Sequence, residues 1–126
     1  MAEKSSNKVE LGDRVAGQIE LPKFDVSPYI GQRKKIENVE EREGKYGYFI
    51  IVQTEEVAKL GENSVRASRV FALYENDGKI GWGEKTQLGL FLKKMSVSHY
   101  RELVGKEVIL QSVTSKKDGN DYLTFN

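Results

Sequence analysis

Tyr46 and Tyr48 stand two apart, directly after Lys45, and Arg69 and Phe71 repeat that spacing further on. In an extended strand, residues two apart share a face. Each pair therefore sets a ring beside another ring or a cation. Rings stack on planar bases and cations follow phosphates, the two requirements for capturing an unpaired nucleic-acid strand. A packing role competes for the same residues. Ile50 and Val52 continue the face of Tyr46 and Tyr48, so the row also suits a core. Strand twist would let the start of that row face solvent while its end faces inward. Buried phenylalanine is the common case, which weighs against Phe71 as a contact.

Trp82, the single tryptophan, lies between Gly81 and Gly83. Such a loop can swing the ring onto a base or tuck it over a helix end as a lid, and both uses stay open. The cations group as Arg33-Lys34-Lys35, Lys45, Arg66 with Arg69, Lys79 with Lys85, and Lys116-Lys117. Lys35, Lys45, Lys116 and Lys117 join the candidate binding set, although turn lysines also serve solubility. Four carboxylates between Glu37 and Glu43 would repel phosphate wherever they face it.

Catalysis has little to stand on. The chain holds no cysteine and one histidine, His99, beside Tyr100 and away from any base–nucleophile pairing. Capping or a surface position suits it better. Asp118 and Asp121 flank a glycine turn, which accounts for both. No phosphate-binding loop, dinucleotide fingerprint or zinc-protease motif occurs. The sequence thus predicts a non-enzyme without metal or cofactor.

The whole chain, 126 residues with 38% hydrophobic and 31% charged, suits one compact domain. Its net charge is only +1, low for a dedicated non-specific nucleic-acid binder. The charge is uneven, with net −2 over Met1 to Ala58 and net +3 from Lys59 onward, so a basic face is compatible with a neutral whole. No run approaches the roughly 20 apolar residues of a membrane span. The polar N-terminus lacks a signal-type core. A cytoplasmic protein, with no membrane partner, is expected.

Residues 1–8 are expected to be disordered, and 9–28, with both prolines, to form an extended arm on the domain that follows at 29–126. Gln32 to Glu43 predicts a strand whose Ile36 and Val39 fall three apart, the mark of a bulge. Tyr46 to Val57 and Val65 to Tyr74 are rich in β-branched and aromatic residues and predict two more. Leu88, Phe91, Leu92 and Met95 trace one helix face, with Thr86 as N-cap. A short helical turn near Ser98 to Val104 should stop at Gly105. Lys106 to Ser115 and Asp121 to Asn126 predict a closing hairpin. The fold class is therefore all-β with one helix. Five strands with a helix between the third and fourth is the arrangement of the oligonucleotide-binding (OB) barrel; a flat antiparallel sheet with one covering helix uses the same elements.

The run Leu88-Gly89-Leu90-Phe91-Leu92-Lys93-Lys94-Met95, then Leu103-Val104-Gly105-Lys106-Glu107-Val108, then Asp118-Gly119-Asn120-Asp121-Tyr122-Leu123-Thr124-Phe125 resembles single-stranded-DNA-binding OB domains. The similar members are archaeal and phage proteins related to replication protein A. The resemblance spans roughly Tyr29 to Asn126. It implies a five-stranded barrel plugged by the helix, with a groove flanked by the first-to-second and fourth-to-fifth strand loops. Lys45 and Lys116-Lys117 fall in those loops. Two departures stand out: no cysteine cluster for a zinc ribbon, and no acidic tail after Phe125-Asn126, so recruitment through such a tail is not expected. The leading expectation is sequence-tolerant binding of single-stranded DNA, or RNA, by stacking and phosphate contacts. The alternative is an OB-type protein–protein adaptor that binds no nucleic acid.

Overall fold

A computed structural model describes residues 24–126 of the chain. The expected tail 1–8, and the expected arm up to residue 23, lie outside the described residues. The chain enters the description on Phe24, whose ring stacks on Tyr29 at 5.5 Å. Val26 is buried, and a 3₁₀ turn follows at Ser27–Tyr29 with Pro28 in its first turn.

The described chain is mostly β with a single α-helix. Its main sheet has five antiparallel strands: β1 Arg33–Gly44, β2 Gly47–Thr54, β5 Ser68–Ala72, β8 Glu107–Thr114 and β9 Asp121–Phe125. Their order across the sheet is β5-β2-β1-β8-β9. Between β2 and β5 lies a small hairpin of β3 Ala58–Leu60 and β4 Asn63–Val65, and after β5 another of β6 Tyr74–Asn76 and β7 Lys79–Gly81. The second strand predicted to run to Val57 thus stops at Thr54. There Thr54 Oγ1 accepts from Ala67 N at 3.0 Å, which ties the end of β2 to the entry of β5. The Asn76-Asp77-Gly78-Lys79 turn places Asp77 at φ 54° and Gly78 at φ 76°. Two consecutive positive φ values are what a tight hairpin turn of matching twist demands.

The bulge expected in the first strand is present. Ile36 faces Thr54 and Asn38 faces Gln53, which leaves Glu37 as the extra residue. Beyond it β1 bends, so that its first residues pair with β8 (Arg33 opposite Ile109, Lys35 opposite Glu107) while the rest pairs with β2. The two edge strands also meet. Thr124 Oγ1 donates to the Ser68 carbonyl at 2.8 Å, and Arg69 Nη1 donates to the Phe125 carbonyl at 3.5 Å.

The helix α1, Gln87–Lys94, starts where its cap was expected: Thr86 Oγ1 accepts from Gly89 N at 3.2 Å. Leu88, Phe91 and Leu92 are buried, and Met95, at the C-cap, is half-buried against the same core. They meet Ile50, Val52, Phe71, Leu110 and Phe125 from the sheet's inner face. A 3₁₀ turn at Tyr100–Leu103 buries Leu103 and ends before Gly105, at φ 93°. That conformation is open to glycine at little cost.

Candidate functional site

Which residues face out follows from register, since directly opposed residues share a face. On β1 after the bulge, Val39 opposes Val52 and Glu41 opposes Ile50. Val52 and Ile50 are fully buried, so the odd positions of β1 and the even positions of β2 point inward. Glu40 then opposes Ile51, and Arg42 opposes Phe49, on the outer face. Across β2, Phe49 opposes Ala72 and Ile51 opposes Val70. Alternation continues through buried Leu73, whose N–H donates to the Tyr48 carbonyl at 2.9 Å, to exposed Tyr74. Phe49 and Tyr74, the latter opening β6, therefore both face outward, with Ile51 and Val70 (58% exposed) on the same side of β2 and β5.

The ring of Phe49 lies against Gly44. A Cβ on Gly44 would come within 2.9 Å of Phe49 Cε1, so the glycine gives the ring its seat on the backbone. At the adjacent β1–β2 turn, Tyr46 is 95% exposed and Lys45 Nζ sits 5.6 Å from its ring centre. Of the residues singled out from the sequence, this pair stands free for a ligand.

Others of that set take different places. Tyr48 is half-buried against the core. Phe71 is 2% exposed and stacks on Phe91 at 5.2 Å, so its ring is withheld from any base. Arg69 turns inward with it. Its guanidinium lies 4.5 Å over Phe71 and 5.5 Å over Phe91, and burial lowers its pKa. Lys35 is exposed on β1 opposite Glu107, and its backbone N–H donates to Glu55 Oε2 at 2.8 Å. Lys116 and Lys117 are exposed in the β8–β9 loop. That loop is held by its own polar groups: Asn120 N donates to Asp118 Oδ1 at 2.9 Å, and Tyr122 Oη donates to Asp118 Oδ2 at 2.6 Å.

The sequence candidates Tyr48, Arg69 and Phe71 fall on the parity of β2 and β5 that faces the core, whereas Phe49, Ile51 and Val70, with Tyr74 beyond, face out. The signal was available. Once Ile50 and Val52 are assigned to the core, Phe49 and Ile51 must face out, and a one-residue change of face exchanges the whole set.

Trp82 behaves as a lid. It is half-buried and meets His99 edge-on at 5.2 Å and Tyr100 at 5.5 Å. His99 caps the 3₁₀ turn, Nδ1 accepting from Arg101 N at 3.1 Å, while Glu102 Oε1 accepts from His99 N at 2.9 Å. Under this lid Tyr100 Oη donates to Glu41 Oε2, and Arg101 Nη2 reaches both oxygens of Glu41 at 3.0 and 3.1 Å. Burial first, and then the bond to Glu41, push the Tyr100 hydroxyl up to about 12. A raised folded pKa means that the neutral phenol stabilises the fold. The contribution is complete below the unfolded tyrosine value of about 10 and is lost as pH rises through about 12. Denaturant midpoints should therefore fall more steeply for the wild type than for Tyr100→Phe over that window. Equal slopes would mean that the Tyr100–Glu41 contact does not form in solution.

No helix among the described residues is long and apolar enough to cross a membrane. No family model, curated protein or solved structure matches the chain.

Proposed function

We propose that this chain is an OB-type module that binds single-stranded DNA, or RNA as the second choice, across the outer face of β2 and β5. The observation that carries the reading is the outward Phe49 on β2, with exposed Tyr74 at the start of β6 just past the end of β5, and Tyr46 and Lys45 at the adjacent turn. Aromatic faces accept any base, so binding through them is sequence-tolerant. Lys45 at one side, and Lys116 with Lys117 in the β8–β9 loop, follow the phosphates.

The strand order supports the OB assignment. In that fold the second- and third-strand face, with its two flanking loops, is the ligand surface. The edge contacts fit closure into a barrel: Ser68 meets Thr124 and Arg69 meets Phe125, with residue numbers rising together, as two parallel neighbours would. The likeness to domains related to replication protein A, and a cytoplasmic setting, belong to the same proposal.

Fluorescence anisotropy with a labelled single-stranded oligonucleotide tests it. Affinity should fall as salt rises, with a log–log slope of about −0.7 per phosphate neutralised. Neutralising Lys116 and Lys117 together should flatten that slope by roughly one to one and a half units.

One observation favours a second reading. Ile51 and Val70 share the face with the aromatic residues, and a protein partner uses such apolar contacts more readily than a phosphate chain does. An adaptor role would take the lead if no salt-dependent binding to any single strand occurred at low salt.

A further inference from the structure

On the outer face that β2 and β5 share with β1 beyond its bulge, Arg42 is the one cation among the described residues, and it stands directly opposite Phe49. Its Nε pairs with Glu40 Oε2, two residues back on the same face. The Nη nitrogens of Arg42 have no hydrogen-bond partner among the described residues. The other carboxylates of the acidic run are disposed differently. Glu37, in the bulge, is held by Arg66 Nη1 at 2.5 Å. Glu41 is engaged by Tyr100 and Arg101, and Glu43 opposes inward-facing Tyr48. Glu40 is thus the carboxylate of that run aimed at the face.

We propose, resting on the nucleic-acid reading above, that Arg42 is the phosphate contact of the stacking face and that Glu40 restrains it by cancelling its charge. A base stacked on Phe49 brings its own phosphate within reach of a guanidinium one strand away. The free Nη edge suits a phosphate, for which arginine offers a planar fork of donors. Glu40 does not block that edge. It holds the guanidinium through Nε and places a negative charge beside the incoming one. Face affinity is then set by a balance of one cation and one anion, which accounts for an acidic strand lying beside a phosphate-binding surface. The ion pair is exposed on both sides, at 55% and 40% of side-chain surface, so a ligand can shift it without unfolding the strand.

The test is anisotropy with a fluorescein-labelled oligothymidylate, comparing wild type, Glu40→Gln and Arg42→Gln across a salt series. Glutamine keeps an oxygen for Nε and removes only the charge. Glu40→Gln should bind about three- to tenfold tighter at low salt, the size of one nearby charge in a water-rich setting. Its log–log salt slope should steepen by about 0.7, one further phosphate neutralised. Arg42→Gln should bind more weakly than wild type, with a flatter slope. Thermal melting of both variants should match wild type, since both side chains are exposed. Wild-type binding left unchanged by either substitution, or weakened by Glu40→Gln, would overturn this role while leaving the proposed function standing. Absence of binding by all three proteins would remove both.

Discussion

Replacing Phe71 by alanine should cost about 3–5 kcal/mol of stability, the range for truncating a buried aromatic side chain. The ring is almost fully enclosed, stacked on Phe91 at 5.2 Å and covered by the Arg69 guanidinium at 4.5 Å. Removing it opens a cavity between the sheet and α1, and it also strips Arg69 of the surface that compensates its partial burial. At roughly 4–8 °C per kcal/mol for a domain of this size, the melting temperature should drop by roughly 12 °C or more. Phe49→Ala should behave differently, although it sits only two residues before Ile51 on the neighbouring strand. Its ring is half-exposed on the opposite side of the sheet, and the loss should stay near about 1 kcal/mol. Calorimetric or denaturant melts of the two variants side by side read the difference. Equal losses would mean that the parity of β2 and β5 is not as described.

Gly89→Ala should be the second severe substitution, and for a reason that helix propensity alone would reverse, since alanine is the better helix former. A Cβ at this position would lie 2.3 Å from the Gly83 carbonyl oxygen and 2.6 Å from that of Glu84. Both obstacles are backbone, so relief requires the loop between Trp82 and α1 to move. That loop is also tied to the helix by Thr86, whose Oγ1 donates to the Gly83 carbonyl at 2.7 Å and accepts from Gly89 N. The displacement would loosen the cap and lift Trp82 from His99 and Tyr100 together. Overpacking of this kind typically costs about 1–3 kcal/mol, and loss of the cap adds about 1 kcal/mol. A melt shows the total, and a red shift of the Trp82 emission shows the lid opening. An unchanged melt with unchanged emission would contradict the close approach of this loop to the helix.

The elements were largely legible because their signals are local. Ile36 and Val39 three apart announced the bulge, and Leu88 to Met95 with Thr86 announced the helix. What sequence did not reveal depends on partners far away along the chain. Val65 to Tyr74 alternates cleanly, but alternation alone does not say which set faces in; the pairing of Val52 with Arg69 and Ile50 with Phe71 decides it. The small β3–β4 hairpin was missed because its strands are three residues each, too short for any period to register. The acidic run was expected to repel phosphate wherever it faces the ligand, but the sequence does not say which members do. In the fold its members separate, one into the bulge, one under the Trp82 lid and one onto the face beside Arg42. Trp82 left two uses open, and the rings of His99 and Tyr100 account for the lid.

The affinity of Phe49→Ala for a single-stranded oligonucleotide at fixed low salt, set against Tyr48→Ala, tests most directly whether the outer face of β2 and β5 carries the ligand. Phe49 presents its ring outward from a seat on Gly44, whereas Tyr48 packs inward on the next position of the same strand. Truncating Phe49 should weaken binding by about 1–3 kcal/mol, the worth of one base–aromatic stack, and leave the salt slope nearly intact. Tyr48→Ala should lower the melting temperature and leave the affinity of the folded protein close to wild type. Undiminished binding by Phe49→Ala, or a loss confined to Tyr48→Ala, would contradict the account.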